Sequence, residues 1–266
     1  MKGKKIALAL AAVAVIALAT GCTRVDLREE GGSSTKSVEL GGAERVNVRL
    51  EMGAGDLTVG GGASELMDAE FFFGDGRLEP EVDYDITGRE GDLKVRQPSV
   101  RSWFPWWSEY RNTWDISLDE SVPMDARLSL GAGDVTLDLG ELYLENLTID
   151  AGAGSIDVDL SGSRYLEEFS LDAGAGEISM DFSGNLWERD LDARVTTGAG
   201  ELSLVVPADV PVRLRIEGGI GENDVRGMTS DGEREWVNDA YKDRVAGPTL
   251  TLDIRRGAGQ VTVETR

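Results

Sequence analysis

The chain has 266 residues with 49 acidic and 27 basic side chains, a formal charge of −22, so it offers no excess of cations to neutralise phosphates and nucleic acid is excluded as a partner. It contains no histidine and one cysteine, which removes Ser-His-Asp and Cys-His catalysis, imidazole metal sites and any intrachain disulfide; no cofactor or metal site is expected. Aromatic residues make up 6% of the chain while glycine occurs 34 times, a composition suited to many short strands joined by tight corners.

At the N-terminus, Lys2, Lys4 and Lys5 precede an apolar run from Ile6 to Ala19, followed by Thr20, Gly21 and Cys22. The run is shorter than the roughly 20 residues a spanning helix needs, and residues 1–21 read as a secretory signal peptide. This stretch resembles a bacterial lipoprotein lipobox, although Ala19 departs from its usual leucine. The resemblance implies that Cys22 becomes diacylated and holds the protein at the outer face of the cell membrane. Loss of the three lysines takes the charge from −22 to −25, so the body should be repelled by anionic headgroups and attached only through its lipid. Residues 22–40, with Gly31, Gly32, Ser33 and Ser34, read as a flexible tether spanning roughly 20–25 Å.

Residues 41–100 carry period-two alternation: Val46, Val48 and Leu50, a corner at Gly53, then Leu57 and Val59. A hairpin-like pair follows, with Val82, Tyr84 and Ile86 joined through Gly88 to Gly91 to Leu93 and Val95. Together these form a small N-terminal β-module. The linker at 101–113 concentrates Trp103, Phe104, Trp106, Trp107 and Tyr110 around Pro105. This is either an exposed patch that docks a protein, glycan or membrane interface, or an end cap folded over the module junction.

From residue 114 to 266 the chain is repetitive. Gly-Ala-Gly occurs at Gly53–Gly55, Gly131–Gly133, Gly152–Gly154, Gly174–Gly176, Gly198–Gly200 and Gly257–Gly259, with Gly-Ile-Gly at Gly219–Gly221. The short interval between successive motifs is the size of one β-solenoid coil. Apolar residues alternate on both sides of each corner but on opposite parity: Leu147 and Ile149 precede the corner, Ile156 and Val158 follow it. One inward face survives only if the backbone turns at the glycines. Coils are expected to stack into one continuous core with atypical ends acting as caps, the polar segment from Arg226 to Gly247 looping over the terminal coil and Trp236 and Tyr241 packing back onto it. Stacking should align Asp138, Asp159 and Asp181 on the outer face, as a solvated ladder or a calcium site. Asp150 and Asp172 should accept backbone N–H bonds at their corners.

The segments VNVRLEMGAGDLTVGGGASELMDAEF and NTWDISLDESVPMDARLSLGAGDVTLDL resemble the bacterial toast-rack proteins, a family also described as adhesin-like or cell-wall-active-antibiotic-response domains. The resemblance implies an all-β stacked solenoid, usually membrane-linked and extracytoplasmic, without enzymatic activity. Some relatives serve envelope-stress systems and carry transmembrane helices, which this chain lacks. The expected function is that of a non-catalytic extracytoplasmic lipoprotein, an adhesin-like interaction or scaffold module with an unknown protein or glycan partner. The alternatives are an accessory of envelope-stress sensing and a polysaccharide-active β-helix enzyme working through carboxylates, for which no catalytic pair stands out.

Overall fold

The out-of-phase alternation is resolved within single strands. The computed structural model describes residues 31–99, 112–184 and 187–266. In chain order the elements are β1 (Gly32–Val38), β2 (Arg45–Ala54), β3 (Asp56–Gly60), β4 (Met67–Phe73), β5 (Glu81–Thr87), β6 (Glu90–Arg96), β7 (Asn112–Leu118), β8 (Met124–Asp138), β9 (Leu144–Asp159), β10 (Glu168–Asp181), β11 (Leu191–Val206), β12 (Val212–Ile220), β13 (Asn223–Arg226), β14 (Thr229–Ser230), β15 (Glu235–Val237), α1 (Asp239–Lys242) and β16 (Leu250–Thr265). The long strands β8 to β11 and β16 run through their glycine corners, giving each an N-terminal and a C-terminal arm. In β9, Leu147 and Ile149 are buried before the corner, Ile156 and Val158 after it.

The corner works because it has no side chains. Gly133, Gly154, Gly176, Gly200 and Gly259 are in register in the parallel stack. Gly154 has φ +142°, and a Cβ placed on it would lie 1.8 Å from the Gly133 carbonyl oxygen. A Cβ on Gly152 would lie 2.1 Å from the Gly131 carbonyl oxygen. Only glycine meets both the backbone conformation and the close approach of successive coils.

All strands belong to one continuous sheet, folded along the column of corners. The N-terminal arms follow the order β5-β6-β2-β8-β9-β10-β11-β16-β12-β15-β14, and the C-terminal arms β1-β4-β7-β3-β8-β9-β10-β11-β16-β13. The inward residues of both sets form one core. Each fully buried Val, Leu or Ile contributes about 1.5–3 kcal/mol of transfer free energy. At the N-terminal end, buried Trp114 meets Phe71 edge to face at 5.5 Å. Trp114 donates to Asn112, whose amide reaches the Ala54 carbonyl at 2.9 Å, so β7 is fixed to the first corner.

Three expectations change, and the order of the coils differs from their order along the chain. Residues 32–38, placed in the tether, form β1, paired along its length with β4. The modules at 41–100 and 114–266 share one sheet: β2 and β3 lie in parallel register with β8. Coils do not stack in sequence order, because β16 pairs with β11 on one side and with β12 and β13 on the other. Gly198 and Gly219 are a regular coil apart in sequence, yet Gly219 sits against Gly257. Finally, the segment from Arg226 to Gly247 contains β14, β15 and α1, and β15 extends the sheet beyond β12. Trp236 packs against the core as expected, but Tyr241 is 36% exposed.

Two buried polar side chains lock this end. Asn238, 1% exposed, donates to the Pro207 and Val210 carbonyls at 3.1 and 2.7 Å and accepts from the amides of Val212 and Tyr241. Arg256, 8% exposed, bridges the last two coils through the carbonyls of Gly221 and Gly259. At the opposite end, Asp68 accepts from Ser37 of β1 and from the amide and hydroxyl of Ser64. The Ser64 amide first, then the two hydroxyls, hold its carboxyl below the ordinary value of 3.8.

Gly154→Val should cost at least about 4 kcal/mol by chemical denaturation, whereas Gly42→Ala, where an added Cβ meets nothing within 4 Å, should stay within about 0.5 kcal/mol. Because the Asp68 pKa is lowered on folding, its contribution is complete above the unfolded value and fades as pH falls through the folded one. Thermal melts of wild type and Asp68→Asn should therefore differ at pH about 6 and converge at pH about 2.

Candidate functional site

The fold turns sequence repeats into columns on two outer faces, and the faces differ in how their charges are compensated. On the N-terminal-arm face, cations alternate with carboxylates across neighbouring strands. Lys94 pairs with Glu51 at 2.8 Å, Arg96 with Glu81 at 2.5 Å, Arg45 with Asp125 at 3.3 Å and Arg127 with Asp150 at 2.5 Å. Glu145 lies between Arg45 and Arg189, and Arg189 also reaches Glu167. These exposed pairs are individually worth up to about 1 kcal/mol. Asp150 thus binds an arginine of the preceding coil, not the backbone N–H expected of it. Asp172 makes no side-chain hydrogen bond or ion pair among the described residues.

The C-terminal-arm face is different. From β4 to the C-terminal arm of β16 its strands carry no lysine or arginine. One outward column reads Glu70, Asp115, Thr58, Thr136, Asp157, Ser179, Ser203 and Thr262. A second contains Asp134, Ser155, Glu177 and Glu201. Asp138, Asp159 and Asp181 align as expected from the repeat. Carboxylates at the ~4.8 Å strand spacing repel by about 0.9 kcal/mol in water. Asp159 and Asp181 offset this by accepting the amides of Ser161 and Ser183 at 2.8 and 2.7 Å, the turn role assigned from sequence to Asp150 and Asp172. Among the described residues, no three His, Cys, Asp or Glu side chains are grouped so as to hold a metal ion.

Three concavities adjoin these faces. An open groove of about 880 Å³ follows the corner column, with Gly131, Gly152, Gly174 and Gly198 along it and Glu51, Asp150, Asp172 and Thr196 beside them. A cleft of about 490 Å³ lies among the loops linking one coil to the next, lined by Glu120, Glu141, Tyr143, Ser161, Arg164 and Tyr165. A neighbouring cleft of about 380 Å³ shares Glu120, Glu141 and Ser161 and adds Asp138. The rings of Tyr143 and Tyr165 stack with centroids 4.0 Å apart and planes 26° apart.

The structure unites the predicted corner glycines Gly53, Gly55, Gly131, Gly133, Gly152, Gly154, Gly174, Gly176, Gly198, Gly200, Gly257 and Gly259 along one fold line. The lipid-attachment residue Cys22 and the aromatic patch of Trp103, Phe104, Trp106, Trp107 and Tyr110 lie outside the described residues. Sequence reading overlooked Tyr143 and Tyr165. Their signal was present, since they occupy the same place in the two best-matched coils, GELYLENLTID and GSRYLEEFSLD.

These features define a class: a β-solenoid of folded parallel strands that presents long, laddered surfaces. Residues 27–165 match the N-terminal domain of toast_rack, DUF2154, and the chain belongs to that family. A crystal structure of a candidate cell adhesion protein from Clostridium sporogenes ATCC 15579 is 26% identical with a TM-score of 0.69, covering 89% of this chain and 100% of that one. A candidate lipid-binding protein from Parabacteroides distasonis ATCC 8503 is 11% identical with a TM-score of 0.29, over 88% of this chain and 97% of that one. A candidate adhesin from Parabacteroides merdae ATCC 43184 is 12% identical with a TM-score of 0.26, over 90% and 98% respectively. No curated protein matches the chain significantly. No helix among the described residues is long and apolar enough to cross a membrane.

Asp181→Ala should cost about 0.5–1 kcal/mol through loss of its turn bond, while Asp172→Ala should change stability by less than about 0.5 kcal/mol. Urea denaturation of the two variants distinguishes these outcomes.

Proposed function

We propose that this chain is a non-catalytic, adhesin-like binding module, lipid-anchored at Cys22 on the outer face of the cell membrane. The observation that carries the reading is the likeness, over the full length of the other protein, to the Clostridium sporogenes structure named for cell adhesion. The distribution of carboxylates agrees with it. They recur as ladders set by the repeat, where an acid–base enzyme would isolate a pair.

The fold gives such an anchor a direction. Residues 23–31 separate Cys22 from β1, a reach of at most about 35 Å, so in this reading the β1 end of the stack is the one nearer the bilayer. The C-terminal arms form ten strands from β1 to β13, about 43 Å at the usual strand spacing. In this reading the β12–β15 end is the one farther from the anchor, with the two laddered faces along the flanks of the stack.

Displayed on a non-adherent bacterial host, the full chain should increase attachment to cells or coated surfaces severalfold. Cys22→Ser should move the protein from the membrane fraction to the soluble extracytoplasmic fraction and abolish that gain. Unchanged attachment with correctly displayed protein overturns the adhesive role, and membrane retention of the Cys22→Ser variant overturns the anchor.

A further inference from the structure

Resting on the reading of the chain as a binding module, we propose that the cleft beside Tyr143 and Tyr165 receives lysine or arginine side chains of a basic polypeptide partner, which approaches along the C-terminal-arm face. Glu120 and Glu141 line both loop clefts, and Asp138 joins them in the smaller one, where the lining contains no cation. Among the described residues none of these three carboxylates makes a side-chain hydrogen bond or ion pair, nor do the hydroxyls of Tyr143 and Tyr165. On the opposite face, cross-strand arginines and lysines compensate many of the carboxylates. The cleft instead combines aromatic faces with uncompensated carboxylates, which is what an organic cation requires.

The arrangement of the acids selects among cations. No three of them converge on a point as a metal ion would need, whereas an ammonium or guanidinium on a flexible stem can reach a ring and one carboxylate at a time. Charge complementarity also favours a polypeptide over a neutral glycan. A sugar could use the same rings, but it would gain nothing from a face bearing Asp115, Asp134, Asp157, Glu177 and Glu201, whose strands from β4 to the C-terminal arm of β16 carry no lysine or arginine. A basic segment would be drawn along that face and held in register by the cleft. Arg164, the one cation among the described residues that line the larger cleft, should weaken binding.

The test uses fluorescent decalysine and the soluble mature chain, followed by anisotropy. Affinity should fall at least about tenfold between about 50 and 300 mM salt. The triple variant Asp134→Asn, Asp157→Asn, Glu177→Gln should bind at least about tenfold more weakly, while Glu168→Gln, Asp172→Asn, Asp192→Asn on the other face should bind as wild type. Tyr143→Ala should lose about three- to tenfold with an unchanged circular-dichroism spectrum, and Arg164→Gln should gain. Equal losses in the two triple variants would reduce the effect to diffuse attraction between polyions and overturn the proposal. So would absence of binding, an ineffective Tyr143→Ala, or salt-independent binding of neutral oligosaccharides such as cellohexaose. If decalysine binding fails while displayed protein still promotes attachment, the basic partner is wrong and the binding-module reading stands.

Discussion

Backbone approaches backbone along the glycine column, and the rest of the molecule follows from that contact. A residue with a Cβ at the second glycine of a corner would need a left-handed conformation and would also overlap a carbonyl of the neighbouring coil. Satisfying both conditions at the same place in every coil lets each strand change its inward parity once and still face one core. Without the fold line, either the N-terminal or the C-terminal arms would turn their apolar sides to water. The parallel register, the two outer faces and the interior between them therefore share one cause.

A stack made this way has ends, and the two ends are closed differently. Near the N-terminus the parallel pattern gives way to antiparallel strands, β4 and β1 on one side and β5 on the other. Lys36, on edge strand β1, reaches Glu79 at 3.4 Å, and a charged edge discourages further pairing. At the far end, β16 enters between β11 and β12, so the coil nearest in sequence to β11 becomes the cap. Arg256 of β16 binds that cap through the Gly221 carbonyl, and Asn238 fastens the segment after β15 to the loop that leads into β12.

The same stacking that builds the core also organises the charge. Each outward position becomes a column, so a repeat that places arginine opposite carboxylate gives a compensated face, and one that places only Asp, Glu, Ser and Thr gives an acidic face. The chain's large negative charge is thus concentrated along one flank and largely paired on the other. Loop residues obey the same rule, and this brings two tyrosines 22 positions apart into a stacked pair beside unpaired carboxylates. A surface of that kind suits recognition by extended contact better than turnover at a point.

Period-two alternation and recurring glycine motifs were enough to reveal the all-β class, the solenoid coils, the corner positions and the Asp138–Asp159–Asp181 alignment, because each depends on local spacing that the chain states outright. The order of coils was not legible. β12 and β16 both carry an inward apolar pattern and a glycine corner, and only the competition of packing partners places β16 next to β11. The strand at 32–38 was hidden for a related reason: GSSTKSV has a weak pattern of its own and becomes a strand by pairing with the apolar β4. The partner of Asp150 and the cleft at Tyr143 likewise depend on which residue of another coil lies one strand away. Sequence determined the repeating unit through backbone sterics and side-chain alternation; tertiary structure alone decided which units became neighbours, because burial free energy is shared among elements distant along the chain.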